Sequence, residues 1–345
     1  MKNNLIVLLL IIALSFCFFS LRKAENSNFY QDFYIPKGWP KPVYDFKKNE
    51  VTDKGFELGR KLFYDPILSR DSTISCASCH LQYTGFAHTD HALSHGIEGR
   101  IGTRNAMPII NLAWTKLFHW DGGVISLETQ SINPITNPLE MDNTLVNVLG
   151  KLNRSKKYKG LFYNVYDDSI VRTKSLLKAL TQFTVSLVTY NSKYDKVMRH
   201  EKDIFFTEQE LKGYNLFKRN CGSCHNEPLL TNDSFADNGL PMDTDYKDYG
   251  RVKITLNPKD SFNFRVPTLR NIEFTYPYMH DGRFKKLKEV LDFYTNGRVQ
   301  RKTVAKELQK AILLSDDDKK DVISFLKTLT DKEFLFNPKF SFPKE

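Results

Sequence analysis

The chain has 345 residues, enough for two ordinary domains but too few for a string of small modules. Hydrophobic residues make up 41% and charged residues 26%, which excludes a disordered chain, and the one long apolar run sits at the extreme N-terminus, which excludes a multispanning membrane protein. The formal charge of +10 is accompanied by no arginine-rich stretch and no nucleic-acid motif, so the lysines are read as solvated surface and no nucleic-acid partner is expected.

Residues 1–24 open with Lys2, run through Leu5-Ile6-Val7-Leu8-Leu9-Leu10-Ile11-Ile12-Ala13-Leu14, and close on Arg22 and Lys23. A basic start and an apolar run of about fifteen residues predict an export signal, hence a periplasmic protein, rather than a full membrane span. Leu14-Ser15-Phe16-Cys17 resembles a lipoprotein box, but Phe16 is bulky where a small residue is expected. Plain cleavage, lipid attachment at Cys17 and an uncleaved membrane anchor all stay open.

Residues 26–42, rich in aromatic, proline and polar residues, read as an extended lead-in. Two similar blocks follow, Gly55-Phe56 and Leu62-Phe63 before Cys76, then Gly213-Tyr214 and Leu216-Phe217 before Cys221. In the second, Thr207-Glu208-Gln209-Glu210 is a capping box, with Leu211, Tyr214 and Phe217 at helical spacing behind it. Between the blocks, residues 173–190 predict an amphipathic helix of about five turns. The polar stretch 191–203 holds the expected boundary between an N-terminal domain, residues 25–200, and a C-terminal domain, residues 201–345. Ser315 with Asp316, Asp317 and Asp318 caps a last helix bearing Val322, Phe325, Leu326 and Leu329. Strand signals are confined to short pieces such as residues 251–255, so the fold class is mainly α.

Apart from Cys17, the cysteines form two C-x-x-C-H boxes, Cys76-Ala77-Ser78-Cys79-His80 and Cys221-Gly222-Ser223-Cys224-His225. This composition gives about 0.002 such boxes by chance. Two thiols followed at once by histidine suit thioether attachment of a haem with the histidine as proximal iron ligand. A shared zinc would bring the two pairs together, yet each box carries its own histidine; a thioredoxin-like C-x-x-C follows a strand, and none precedes either box. Two cytochrome c-like domains with one covalent haem c each are expected. A non-catalytic electron carrier fills both axial positions of each iron with strong ligands, whereas a reaction centre leaves one open beneath poised polar groups.

Leu58-Gly59-Arg60-Lys61-Leu62-Phe63-Tyr64-Asp65-Pro66, Gly102-Thr103-Arg104-Asn105-Ala106, Trp120-Asp121-Gly122-Gly123, Pro267-Thr268-Leu269-Arg270-Asn271 and Thr275-Tyr276-Pro277-Tyr278-Met279-His280-Asp281-Gly282 stand in order around the two boxes. Together they resemble the bacterial di-haem cytochrome c peroxidases and their relative MauG. The resemblance implies haems near the domain interface, a peroxide-reacting N-terminal haem on His80 and an electron-relaying C-terminal haem on His225. It implies a distal set of Gln130, Pro134 and Glu140, with Glu140 moving the proton and Gln130 orienting the departing oxygen. Trp120 resembles the tryptophan between the haems, and Asn105, Thr275 and Pro277 match positions that hold a calcium ion.

Many members place methionine where Tyr294 stands here; MauG resembles this chain in having tyrosine, so Tyr294 is the expected sixth ligand of the second haem, with Met279 and Met242 as fallbacks. The distal histidine of many members is replaced by Ile97, and His95, two residues earlier, reads as a loop histidine. The implied activity is that of a cytochrome-c peroxidase reducing hydrogen peroxide with electrons from a small cytochrome c or a cupredoxin. A MauG-like oxidase acting on residues of a partner protein and a plain di-haem carrier are the alternatives. Homodimer formation and membrane association through the N-terminal segment stay open.

Overall fold

The computed structural model describes residues 29–30 and 33–344; the predicted export signal lies outside them. Among the described residues no helix is long and apolar enough to cross a membrane. Among the described residues the fold is helical, with two two-stranded antiparallel ladders, Phe29–Tyr30 with Phe33–Tyr34 and Phe235–Ala236 with Phe264–Arg265.

Each cytochrome c-like half rests on one crossing of two helices. In the first, α1 (Asp53–Tyr64) packs on α2 (Thr173–Val185); in the second, α3 (Glu208–Asn220) packs on α4 (Asp316–Lys327). Both crossings need a glycine. A Cβ at Gly59 would lie 2.0 Å from the Ala179 carbonyl oxygen, and one at Gly213 would lie 1.9 Å from that of Asp321. The repeat is therefore Gly59-x-x-Leu62-Phe63 matched to Gly213-x-x-Leu216-Phe217, which replaces the sequence pairing of Gly55 with Gly213. Gly55 packs on Gln182 instead.

The predicted caps form: Thr207 and Glu210 close a capping box on α3, and Ser315 and Asp318 close another on α4. Helix α3 runs straight into its box, the Cys221 N–H still donating to the Phe217 carbonyl. Helix α1 stops twelve residues short of Cys76, because Pro66 has no N–H to continue the ladder. There the buried Ser69 hydroxyl receives the Thr73 and Ile74 N–H groups and folds the connection back towards the box.

Two local expectations need correcting. Helix α2 ends at Val185 rather than running to residue 190, because the next residues bond to Asn111: its N–H donates to the Leu187 carbonyl and its Oδ1 accepts the Thr189 N–H. Residues 251–255, expected as a strand, form one helical turn (Val252–Thr255), with the Arg251 guanidinium bonded to the Asp121 carbonyl and lying over the Phe235 ring. Five alternating residues fit a helical turn as well as a strand, and the tertiary contact decides.

One core gathers Leu58, Leu62, Val148, Leu152, Phe162 and Leu180; the other gathers Phe217, Leu291, Val322, Phe325 and Leu326, with Tyr194 already in it. The chain end returns to the first half, where Phe334, Leu335 and Phe340 pack with Phe56, Phe63 and Phe86. Arg270 makes a bidentate pair with Asp195 at 2.8 and 2.7 Å, donates to the Pro228 carbonyl, and stacks over Trp39. Both partners are almost fully buried, at 0% and 3% exposure.

Candidate haem sites

Cys76–Cys79 form a single helical turn, and His80 follows as its C-cap. The four box cysteines form no disulfide. The His80 Nδ1 donates to the Phe86 carbonyl at 2.8 Å, which leaves Nε2 free to act as a ligand. That carbonyl is delivered by a tight turn at Gly85 and Phe86, with φ of 68° and 58°, where the glycine meets the left-handed conformation without strain. His225 is held alike, its Nδ1 lying 3.2 Å from the carbonyls of both Leu230 and Pro267. Burial pushes both imidazoles down to about 4, so each stays neutral, the form that ligates a metal.

His80 and Cys79 line a cavity of about 370 Å³ together with Gln130, Pro134, Glu140 and Trp120. The sequence-predicted distal set is thus assembled around one space. Its support is local: Ile132–Thr136 makes one helical turn, Asn137-Pro138 stops it, and a tight turn from the Asn137 carbonyl to the Glu140 N–H carries the chain back. The Ile97 N–H donates to the Glu140 carbonyl at 2.7 Å, and Gly96 lies too close to Leu139 and Glu140 for any side chain. Desolvation raises the Glu140 carboxyl above its ordinary 4.5, opposed by a 2.7 Å hydrogen bond from the Asn137 amide. Neither Ile97 nor His95 lines this cavity; His95 stacks on His91 at 4.0 Å.

His225 and Cys224 line a second cavity of about 190 Å³ with Tyr294, Met279 and His280. Tyr294 sits in a π-helical turn, Phe293–Gly297, directly after the helix Leu287–Asp292. Burial pushes its phenol up to about 12, and the Asn238 amide reaches its oxygen at 3.4 Å and the Met279 sulfur at 3.5 Å. Met242 does not line this cavity and is 37% exposed, so the structure does not bring that fallback to the second haem site.

Trp120 lines both cavities. Its indole N–H donates to the Asn105 carbonyl at 2.9 Å, and its ring meets His280 edge-on, while Phe264 stacks on the same imidazole with ring centroids 3.6 Å apart. Asn105, Thr275 and Pro277 all line the second cavity.

The walls also suit a porphyrin with ionised side arms. Two residues lining the first cavity, His119 and Arg265, each carry a buried polar atom, Nε2 and Nη2 respectively, with no partner among the described residues. A group with carboxylates fits such walls; a purely apolar ligand does not.

The sequence profile of the di-haem cytochrome c peroxidases matches residues 53–203, and that of cytochrome c matches residues 211–330. The chain is 36% identical over 291 residues to the cytochrome c551 peroxidase of Nitrosomonas europaea, covering 83% of this chain and 82% of that protein. The chain belongs to the di-haem cytochrome c peroxidase/MauG family. It is also 32% identical to the methylamine utilization protein MauG of Methylorubrum extorquens, over 86% of this chain and 83% of that one. A solved MauG-like protein associated with microbial copper homeostasis superposes with a TM-score of 0.79 at 30% identity, covering 90% of this chain and 98% of that chain.

Membership of the di-haem c-type cytochrome family supports two haem c groups for this chain. Sequence reasoning missed Asn137, His119, Asn238 and Arg265. Asn137 had a signal, since an amide three residues before a buried carboxylate is placed to bond it. The other three reach their cavities through long-range packing that no spacing encodes.

Proposed function

We propose that this protein reduces hydrogen peroxide to water in the periplasm, using electrons from a small cytochrome c or cupredoxin. The observation that carries the reading is the raised, Asn137-held carboxyl of Glu140 on the same cavity as His80. Cys76, Cys79 and His80 would hold a haem c, which would supply a redox-active iron for the two-electron, two-proton reduction of peroxide to water. Glu140 removes a proton from one peroxide oxygen and returns it to the other. The Gln130 amide orients the departing oxygen, and Pro134 covers the face without offering a ligand. Trp120, common to both cavities, links the reaction centre to the relaying haem on His225. Asn105, Thr275 and Pro277 would offer oxygen ligands to a calcium ion.

Electron paramagnetic resonance of the oxidised protein tests the reading. A high-spin ferric signal is expected from the N-terminal site; two low-spin signals would make the protein a carrier.

Tyr294 favours a second reading, a MauG-like oxidase that draws electrons from residues of a partner protein. An anionic phenolate stabilises ferric and higher iron states over ferrous iron. Tyr294→Phe is expected to change the absorption spectrum of one haem and raise its potential, leaving the other untouched. Unchanged spectra would give the sixth position to Met279. Steady-state assays with peroxide and small redox donors separate the two readings.

A further inference from the structure

Arg265 is a cation with one arm unused. Its side chain is 7% exposed; Nη1 pairs with Asp233, Nε donates to the His119 carbonyl at 3.3 Å, and the guanidinium lies 5.0 Å from the Phe235 ring centroid. These contacts fix the fork but leave Nη2 without a partner, although that atom is sealed from solvent. A buried guanidinium N–H left unbonded is costly, so the position calls for an acceptor. Arg265 lines the first cavity beside His119, whose Nε2 is the other unpartnered buried atom there, and also lines the second cavity next to Trp120. The reactive end of the first cavity, with Glu140 and Asn137, is a different set of residues.

We propose that the free Nη2 of Arg265 receives a propionate carboxylate of the N-terminal haem, and that this charge sets the reduction potential of that haem from the wall shared by the two sites. A planar guanidinium with one arm held by Asp233 presents its remaining N–H to an anion at little entropic cost. A fixed cation beside a haem favours the reduced iron, because reduction removes one positive charge in a medium of low dielectric. Asp233 opposes it. The two residues therefore have opposite signs of effect, which a purely structural ion pair would not have.

The test uses the mature di-haem protein, with two haem equivalents by pyridine haemochrome as the entry condition. Spectroelectrochemistry should give a lower midpoint potential for the N-terminal haem in Arg265→Gln and a higher one in Asp233→Asn, with smaller shifts at the C-terminal haem. The propionate bending band in the resonance Raman spectrum should move in Arg265→Gln. Arg265→Lys keeps the charge and not the fork, so it should restore the potential while leaving the band displaced; it also serves if the glutamine variant fails to mature. Potentials that move in the same direction in the two charge variants, or a propionate band unmoved in both arginine variants, overturn the proposal. A wild type with fewer than two haems fails the attachment reading instead.

Discussion

Glu140→Gln is expected to lower peroxide turnover by about 10²–10⁴-fold while both haems stay attached. Glutamine keeps the shape of the side chain and still offers an oxygen to the Asn137 amide, which donates to Glu140 at 2.7 Å. What it loses is the ability to take and return a proton. The pH profile carries the same information with a defined sign. Desolvation raises the Glu140 carboxyl above 4.5, so the ionised base appears only as pH climbs through that raised value. The acid limb of kcat/KM for peroxide should therefore lie above the ordinary carboxylate range. Asn137 opposes the rise by bonding the ionised form, so Asn137→Ala should move the limb to still higher pH. Stopped-flow measurement of peroxide reaction against pH checks both statements, and an unchanged rate in Glu140→Gln removes this residue from the mechanism.

The chemistry of this chain was legible where it is local. C-x-x-C-H ties proposed tether, spacer and ligand into five residues, so both candidate haem sites could be read from the sequence without reference to the fold. The capping boxes at Thr207 and Ser315 were legible for the same reason, since cap and partner lie three residues apart. The distal set was reachable through family resemblance, and it converges because residues 130–140 form one compact turn with its own hydrogen bonds. What stayed hidden depends on packing between distant segments. The matching of Gly59 with Gly213 follows from a helix crossing and not from dipeptide likeness. Arg265 meets His119 across 146 residues, and Asn238 meets Tyr294 across 56. Residues 251–255 failed as a strand because Arg251 is claimed by Asp121 and Phe235. Local periodicity carries no trace of such contacts.

Breaking the pair of Arg270 and Asp195 should cost about 3–5 kcal/mol, since either single change leaves a buried charge uncompensated. The pair is almost wholly withdrawn from water, and its geometry is bidentate. Burial alone would push the Asp195 carboxyl up, yet the Arg270 bonds and the Ser192 cap hold it below the ordinary value of 3.8. A depressed folded-state value means that this stabilisation is present above the unfolded pKa and is lost as pH falls through the folded one. The stability difference between wild type and Asp195→Asn, which lacks the titration, should thus be full at neutral pH and shrink as pH falls through the folded value. The same pair has a consequence for the haem. Arg270 also grips the Pro228 carbonyl, two residues before Leu230, and belongs to the segment that contains Pro267. The Leu230 and Pro267 carbonyls are the two acceptors that orient His225. Arg270→Met should accordingly lower the midpoint of denaturant unfolding and, in the protein that remains folded, disturb the spectrum of the C-terminal haem before that of the N-terminal one. A loss of stability with both haem spectra intact would confine Arg270 to the core; disturbance of the His225 haem first would make it a positioning residue for that ligand.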